Sequence, residues 1–169
     1  MSTTEKQQPG MAHALVWPES WEELQQATIA ALREETKIPE LNADESGDIG
    51  IRYGSALVWV RVNRKLPAIG LFSCALSHVD PTPALMHALN ELNTHRRPAT
   101  FYIYETTVMA ATEVDCDPFY PPALLRALRF LAELVDEVDE DLSEHFGGRT
   151  AFDEARPSED PDTACHRAN

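Results

Sequence analysis

The pattern of apolar and polar positions is clearest between Ala56 and Leu76. In the first part of this stretch every second residue is a valine, from Val58 to Val62. This period of two predicts a β-strand with two different faces. Polar residues at 63–65 then separate it from a second, largely apolar run. The stretch is therefore predicted to be a β-hairpin at the centre of an antiparallel sheet.

Three more strands are predicted around this hairpin. Ile49, Ile51 and Tyr53 alternate with polar or small residues and indicate a short strand before it. Residues 100–105 and 107–115 show the same alternation and indicate two strands after it. The first three strands follow one another with short turns, so they should form a meander.

Three helices are predicted from apolar residues that recur every three or four positions. The first should begin at Ser20 and Glu23, which fit a capping box. The second should follow Asp80, a suitable N-cap, with Pro81 at the first helical position. The third should begin near Pro121 and end before two consecutive glycines.

The element order is thus α-β-β-β-α-β-β-α, which predicts an α+β fold with a five-stranded antiparallel sheet. The first and third helices are long enough to cover one face of the sheet. The other face should then be unusually aromatic for a solvated surface. Its expected residues are Leu57, Trp59, Phe72, Tyr102, Tyr104 and Met109.

The domain is expected to span residues 17–148. Residues 1–16 are polar and are predicted to be a flexible leader. Residues 149–169 are rich in acids and poor in apolar side chains, which predicts a disordered acidic tail.

Charge and composition narrow the range of partners. The net charge of −14 makes nucleic acid an unsuitable partner, because its phosphates would be repelled. No apolar run approaches the roughly 20 residues that cross a bilayer, and the first ten residues lack the apolar core of a signal peptide. Three unpatterned cysteines, with Cys165 as a surface thiol, agree with a reducing compartment. We therefore expect a cytoplasmic protein without a membrane partner.

Several segments resemble a known family. Ala88-Leu89-Asn90-Glu91-Leu92-Asn93 lies in the second helix, and Asp117-Pro118-Phe119 leads into the third. Together with the element order, these resemble the YbjN-type proteins, which share the fold of type III secretion chaperones. The resemblance covers about residues 17–148. It implies a small, non-enzymatic and often dimeric protein that binds exposed peptide segments of a client protein.

Two kinds of contact surface are expected. An adaptable peptide-binding surface would use aromatic and methionine side chains, which give large contact areas. Its candidate residues are Trp59, Phe72, Tyr102, Tyr104 and Met109. A homodimer would use apolar residues of the second helix, namely Leu85, Met86, Leu89 and Leu92. The aromatic face could instead be simple core, buried by a helix of the same chain or by a second subunit.

Other chemical signals are weaker. Glu113, Asp115 and Asp117 alternate and could hold a hard cation, which leaves a metal-dependent hydrolase as an alternative; the other reading is a solvated strand end. No phosphate loop or nucleophile elbow occurs, so no cofactor is predicted. Asn90 and Asn93 could cap or bridge neighbouring backbone, which is the alternative to a role in ligand binding.

The third helix carries seven acidic residues and no basic residue between Glu133 and Glu144. Such a run is usually a solvated helix face. The alternative is an anionic surface that attracts a basic client. A purely structural or regulatory homodimer, without a client, also remains open.

Overall fold

The structure, a computed structural model, describes residues 14–150 except residues 55, 96 and 97. Its order of elements and its α+β class confirm the prediction from sequence. In chain order the elements are α1 (Trp21–Thr36), β1 (Asp48–Tyr53), β2 (Ala56–Val62), β3 (Ala68–Leu76), α2 (Pro83–His95), β4 (Thr100–Tyr104), β5 (Thr107–Asp115) and α3 (Pro121–Phe146).

All five strands form one antiparallel sheet in the order β1-β2-β3-β5-β4. The β2–β3 hairpin lies inside the sheet, as its two apolar runs predict. The last two strands are also a hairpin, but β5 pairs with β3 and leaves β4 at the edge. Each cross-strand pair shares a face, so the register fixes which side chains lie together.

The three helices pack on one side of the sheet, which we call the helix face. Helix α3 lies against β2, β3 and β5, whereas α1 contacts α3 and β2, and α2 contacts β4. Val58, Val60 and Leu71 point to this face and are fully buried, because they fill the space between sheet and helices. The opposite side, which we call the open face, carries the other half of each strand's side chains.

Local sequence accounts for the helix starts, with one correction. The Ser20 hydroxyl accepts a hydrogen bond from the Glu23 amide at 3.2 Å, as the capping box predicts. Helix α2 starts later than Asp80 and Pro81 suggest, at Pro83. Thr82 caps it instead, because its hydroxyl accepts a bond from a first-turn amide at 3.2 Å.

Hydrogen bonds from neighbouring residues satisfy some of the outer backbone groups of both edge strands. The Asn93 amide nitrogen donates to the Phe101 carbonyl at 2.9 Å, and the Asn93 oxygen accepts from the Phe101 amide at 2.7 Å. At the other edge, the Asp48 amide donates to the Asp44 carboxylate at 2.9 Å, and the Asp44 amide donates to the Asp48 carbonyl at 2.8 Å. The predicted backbone role of Asn93 is therefore confirmed.

Both ends of the described chain are bonded to the domain. Val16 exchanges two backbone hydrogen bonds with Phe119, although the flexible leader was expected to reach residue 16. Arg149 does the same with Ser77, and Thr150 is buried. The rest of the expected leader, residues 1–13, and of the expected tail, residues 151–169, lies outside the described residues. Within the described ranges, no helix is long and apolar enough to cross a bilayer.

Candidate functional site

The open face gathers the five aromatic and methionine residues that the sequence singled out. Trp59 and Phe72 are direct cross-strand partners in β2 and β3. Tyr102 and Met109 are direct partners in β4 and β5, and Tyr104 lies two residues along from Tyr102. Side chains two apart in a strand share a face, so all five lie on the side that the helices leave uncovered.

The five residues differ in accessibility. Tyr102 and Tyr104 are 38% and 36% exposed, and Trp59 and Phe72 are partly buried. Met109 is only 1% exposed, so it cannot contact a ligand unless neighbouring side chains move. Partial burial raises the pKa of the Tyr102 phenol, which therefore stays a neutral hydrogen-bond donor.

A glycine allows Trp59 to lie flat on the sheet. Gly50 is the direct cross-strand partner of Trp59, and a Cβ built on it would be 3.0 Å from the indole ring. A side chain at position 50 would therefore push the ring away from the sheet. The ring instead lies over Gly50 and extends the apolar surface toward β1.

An ion pair that the sequence analysis did not identify lies beside these aromatics. The Arg61 guanidinium donates two hydrogen bonds to the buried Asp48 carboxylate. It also lies 5.2 Å from the centre of the Phe72 ring, within the range of a cation–π contact. Asp48 and Arg61 are direct cross-strand partners, 13 positions apart. Only the register of β1 against β2 would have revealed the pair.

The same end of the sheet contains a polar hollow of about 640 Å³. Arg61, Arg64 and Lys65 supply positive charge there, and Glu113 supplies negative charge. The Arg64 guanidinium lies 5.1 Å from the centre of the Trp21 ring, which holds it at the rim. The open face therefore joins an apolar aromatic area to a hollow that can pair with polar groups of either sign.

The proposed cation ligands do not form a site. Glu113 and Asp115 are exposed on the open face, and Asp117 lies in the following loop, where its amide donates to the Asp115 carboxylate at 3.3 Å. Among the described residues, no three His, Cys, Asp or Glu side chains converge as metal ligands. This geometry gives no support to the metal-dependent hydrolase.

The predicted dimer residues of α2 separate into two groups. Leu85 and Leu89 are buried within the single chain, at 0% and 3% exposure, so they are not available to a second copy. Leu92 packs partly against the same core. Met86 is 54% exposed and is the member of the set that points into solvent.

A sequence comparison identifies related proteins. The model of the family TY-Chap1, described as "T3SS (YopN, CesT) and YbjN peptide-binding chaperone 1", matches residues 22–154. The match includes α1 except its first residue, the whole sheet, α2 and α3. No curated protein matches the chain.

Solved structures share the fold. A chain of the ExsC-ExsE complex has a TM-score of 0.59 and 13% identity, and the match covers 70% of this chain and 92% of that chain. A chain of the HopA1-SchA chaperone-effector complex has a TM-score of 0.58 and 13% identity, covering 73% of this chain and 99% of that chain. These likenesses establish that the five-stranded sheet with its helices is a fold that also occurs in solved structures.

Proposed function

Because the chain belongs to the TY-Chap1 family of peptide-binding chaperones, we propose that it holds an exposed segment of a client protein on the open face of its sheet. One of the solved structures with this fold is a chaperone-effector complex, which supports a protein as the ligand. In this proposal the protein acts in the cytoplasm, as its composition predicts, and binds its client without catalysing a reaction.

The observation that carries the proposal is the aromatic surface itself. Trp59, Phe72, Tyr102 and Tyr104 lie on one sheet face that the chain's own helices leave uncovered. Aromatic side chains bury large areas at a low cost in conformational entropy, and they commonly act as anchors in interfaces. They also accept varied partners, because most of their contact energy does not depend on direction.

The hollow beside this surface supplies orientation. The buried Asp48 carboxylate holds the Arg61 guanidinium in place. The guanidinium should therefore move little when a ligand binds. A fixed guanidinium can donate to a backbone carbonyl or an acidic side chain of the client, whereas Glu113 can accept from an N–H or a basic side chain. The apolar surface then supplies affinity, and the hollow favours one direction of the bound segment.

The test compares variants in the capture of client proteins. The full-length chain and its Trp59→Ala and Tyr104→Ala variants are used as bait in extracts of the source cell, and bound segments are identified by mass spectrometry. Affinities for a synthetic copy of the identified segment are then measured by calorimetry. Each variant should lose about 1–3 kcal/mol of binding free energy if these residues are anchors.

A matched control comes from the described N-terminal segment. Trp17 is 64% exposed and lies before α1, outside the five strands, so Trp17→Ala removes the same side chain from a position that is not part of the sheet. This variant should bind like the unchanged protein. If the Trp59 and Tyr104 variants are folded and bind equally well, the client surface lies elsewhere.

A homodimer is a second candidate, and the exposed Met86 on α2 favours it. Because about half of this side chain is still exposed, its complete burial would gain about 1–1.5 kcal/mol. Sedimentation equilibrium should then show a dimer that Met86→Glu dissociates. A monomer at high concentration would exclude this role for α2.

A further inference from the structure

A groove separates α2 from the C-terminal half of α3, away from the open face. Its volume is about 560 Å³, within the range of about 300–1,000 Å³ that is usual for ligand sites. The floor of the groove is apolar and is formed by Ala88, Leu92, Val138, Leu142 and Phe146. Ala88 and Leu92 on α2 and Phe146 at the end of α3 are only partly buried. The floor therefore still offers apolar surface to a partner.

The rim of the groove is acidic. Glu91 on α2 and Glu137 and Asp141 on α3 are exposed along its two sides. No lysine or arginine is among the described residues that line it. An apolar floor between acidic edges is complementary to a segment with an apolar stripe flanked by basic side chains.

Two histidines lie at the groove and are held against their own helices. The Nδ1 atom of His95 is 3.0 Å from the Glu91 carbonyl oxygen, and that of His145 is 2.8 Å from the Asp141 carbonyl oxygen. A carbonyl can only accept, so each Nδ1 carries a proton and donates it. These bonds hold both rings beside their helices.

We propose that this groove binds a basic amphipathic helix of another protein. The walls are two helices whose backbone groups are bonded internally, so they offer no strand edge for pairing. An occupant therefore gains no backbone hydrogen bonds from these walls, which favours a segment that satisfies its own, as a helix does. A second copy of this chain is disfavoured as the occupant of this groove, because its own groove has the same acidic rim and the like charges would repel each other.

This site is independent of the surface in the proposed function. The floor lies on the helix face, and the sheet separates it from the open face. A client on the aromatic surface and a basic helix in the groove can therefore be bound together. Variants of one surface should leave binding at the other unchanged.

The experiment uses a designed probe with the full-length protein. The probe is a fluorescein-labelled peptide, LKKLLKLLKKLLKL, which forms an amphipathic helix with lysines beside a leucine stripe. The control peptide, LEELLELLEELLEL, keeps the stripe and reverses the charge. Fluorescence anisotropy should show binding of the lysine peptide that weakens with salt, and little binding of the glutamate peptide.

Matched variants assign the binding to the groove. The double variant Glu137→Gln/Asp141→Asn should weaken binding about tenfold, whereas Glu133→Gln/Glu140→Gln, which removes two charges from α3 outside the groove lining, should change it less than about twofold. Ala88→Arg should abolish binding, and Ala30→Arg, which adds the same charge on an exposed part of α1, should not. Circular dichroism melts confirm that each variant is folded.

Three results would overturn the proposal. Equal losses in the two double variants would show that the acidic surface attracts the peptide without a defined site. No binding of the lysine peptide by the unchanged protein would show that the groove does not accept such a helix. A dimer that dissociates only with Ala88→Arg would show that a second copy of the chain is the occupant.

Discussion

The indole ring of Trp59 rests on Gly50, its cross-strand partner, so closely that a Cβ on Gly50 would lie 3.0 Å from the ring. The position of the largest side chain on the open face therefore depends on the absence of a side chain in the neighbouring strand. The backbone of Gly50 does not have a left-handed φ, and the three atoms nearest to an alanine Cβ there would all belong to the Trp59 ring.

Gly50→Ala should destabilise the protein by about 1 kcal/mol, because the ring must move away from its packed position. In a Trp59→Ala background the same change should have almost no effect. Urea denaturation of the two single variants and the double variant gives the coupling energy. An equal cost of Gly50→Ala with and without Trp59 would show that the ring does not determine it.

Asn93→Ala should destabilise the fold by about 1–3 kcal/mol, since it leaves the amide and carbonyl of Phe101 without the bonds that Asn93 supplies. Asn90→Ala is the matched control, because Asn90 is exposed on the same helix. Chemical denaturation should separate the two variants clearly. Similar stabilities would show that water replaces the Asn93 amide at no cost.

Asp139→Asn should stabilise the protein at neutral pH. Burial raises the pKa of this carboxyl in the folded state, and the charges of Asp136 and Glu140 raise it further. A raised folded pKa favours folding below the unfolded pKa, and this contribution is lost as pH rises through the folded value. The stability gained by replacing the Asp139 carboxyl with an amide should therefore be largest near pH 7 and should disappear below the ordinary aspartate pKa of about 3.9.

The measurement is urea denaturation of both proteins across this pH range. Glu133→Gln serves as the control, since Glu133 is exposed on the same helix. A gain that persists unchanged at acid pH would assign the effect to packing instead of charge.

The cysteines should differ strongly in reactivity. Cys74 and Cys116 are buried, and burial together with the charge of Asp115 raises the pKa of the Cys116 thiol to about 12. Little thiolate then exists at Cys116 near neutral pH. Cys165 lies outside the described residues, and the sequence predicts a surface thiol there. Ellman's reagent should titrate one thiol in the native protein and three in denaturant, and Cys165→Ser should remove the native one.

The boundary of the domain can be located by two truncations. Ending the chain after Thr150 should leave the melting temperature nearly unchanged, because residues 151–169 are acidic and poor in apolar side chains. Ending it after Gly148 removes the bonds of Arg149 to Ser77 and the buried Thr150, and should lower the melting temperature. Equal melting temperatures would show that the Arg149–Ser77 hydrogen bonds and the burial of Thr150 contribute little to stability.

The local elements could be predicted because their signals lie within a few residues. Strand β5 has the predicted bounds, and α1 is capped at Ser20 as expected. The start of α2 was wrong by two residues, since Asp80 and Thr82 both suit an N-cap and both are followed by a proline. The local sequence alone does not show which of these two residues caps the helix.

The sheet order and the polar part of the site could not be predicted in the same way. Alternation placed Trp59 and Tyr102 on one face, but it contains no information on which strands are neighbours. The contact of Arg61 with Asp48 and Phe72 depends on three strands coming together in one register. The burial of Met109 likewise depends on its neighbours in β3 and β4.

The amide of Asn93 gives the outer backbone of β4 a partner from the chain itself, and Asp44 does the same at the start of β1. Exposed strand edges are templates on which further chains can stack into fibrils. A chaperone that binds peptide segments meets chains that could pair with such an edge. Because Asn93 and Asp44 occupy part of each sheet edge, they should hinder the addition of a client chain to the sheet and thus the aggregation of the protein with its client.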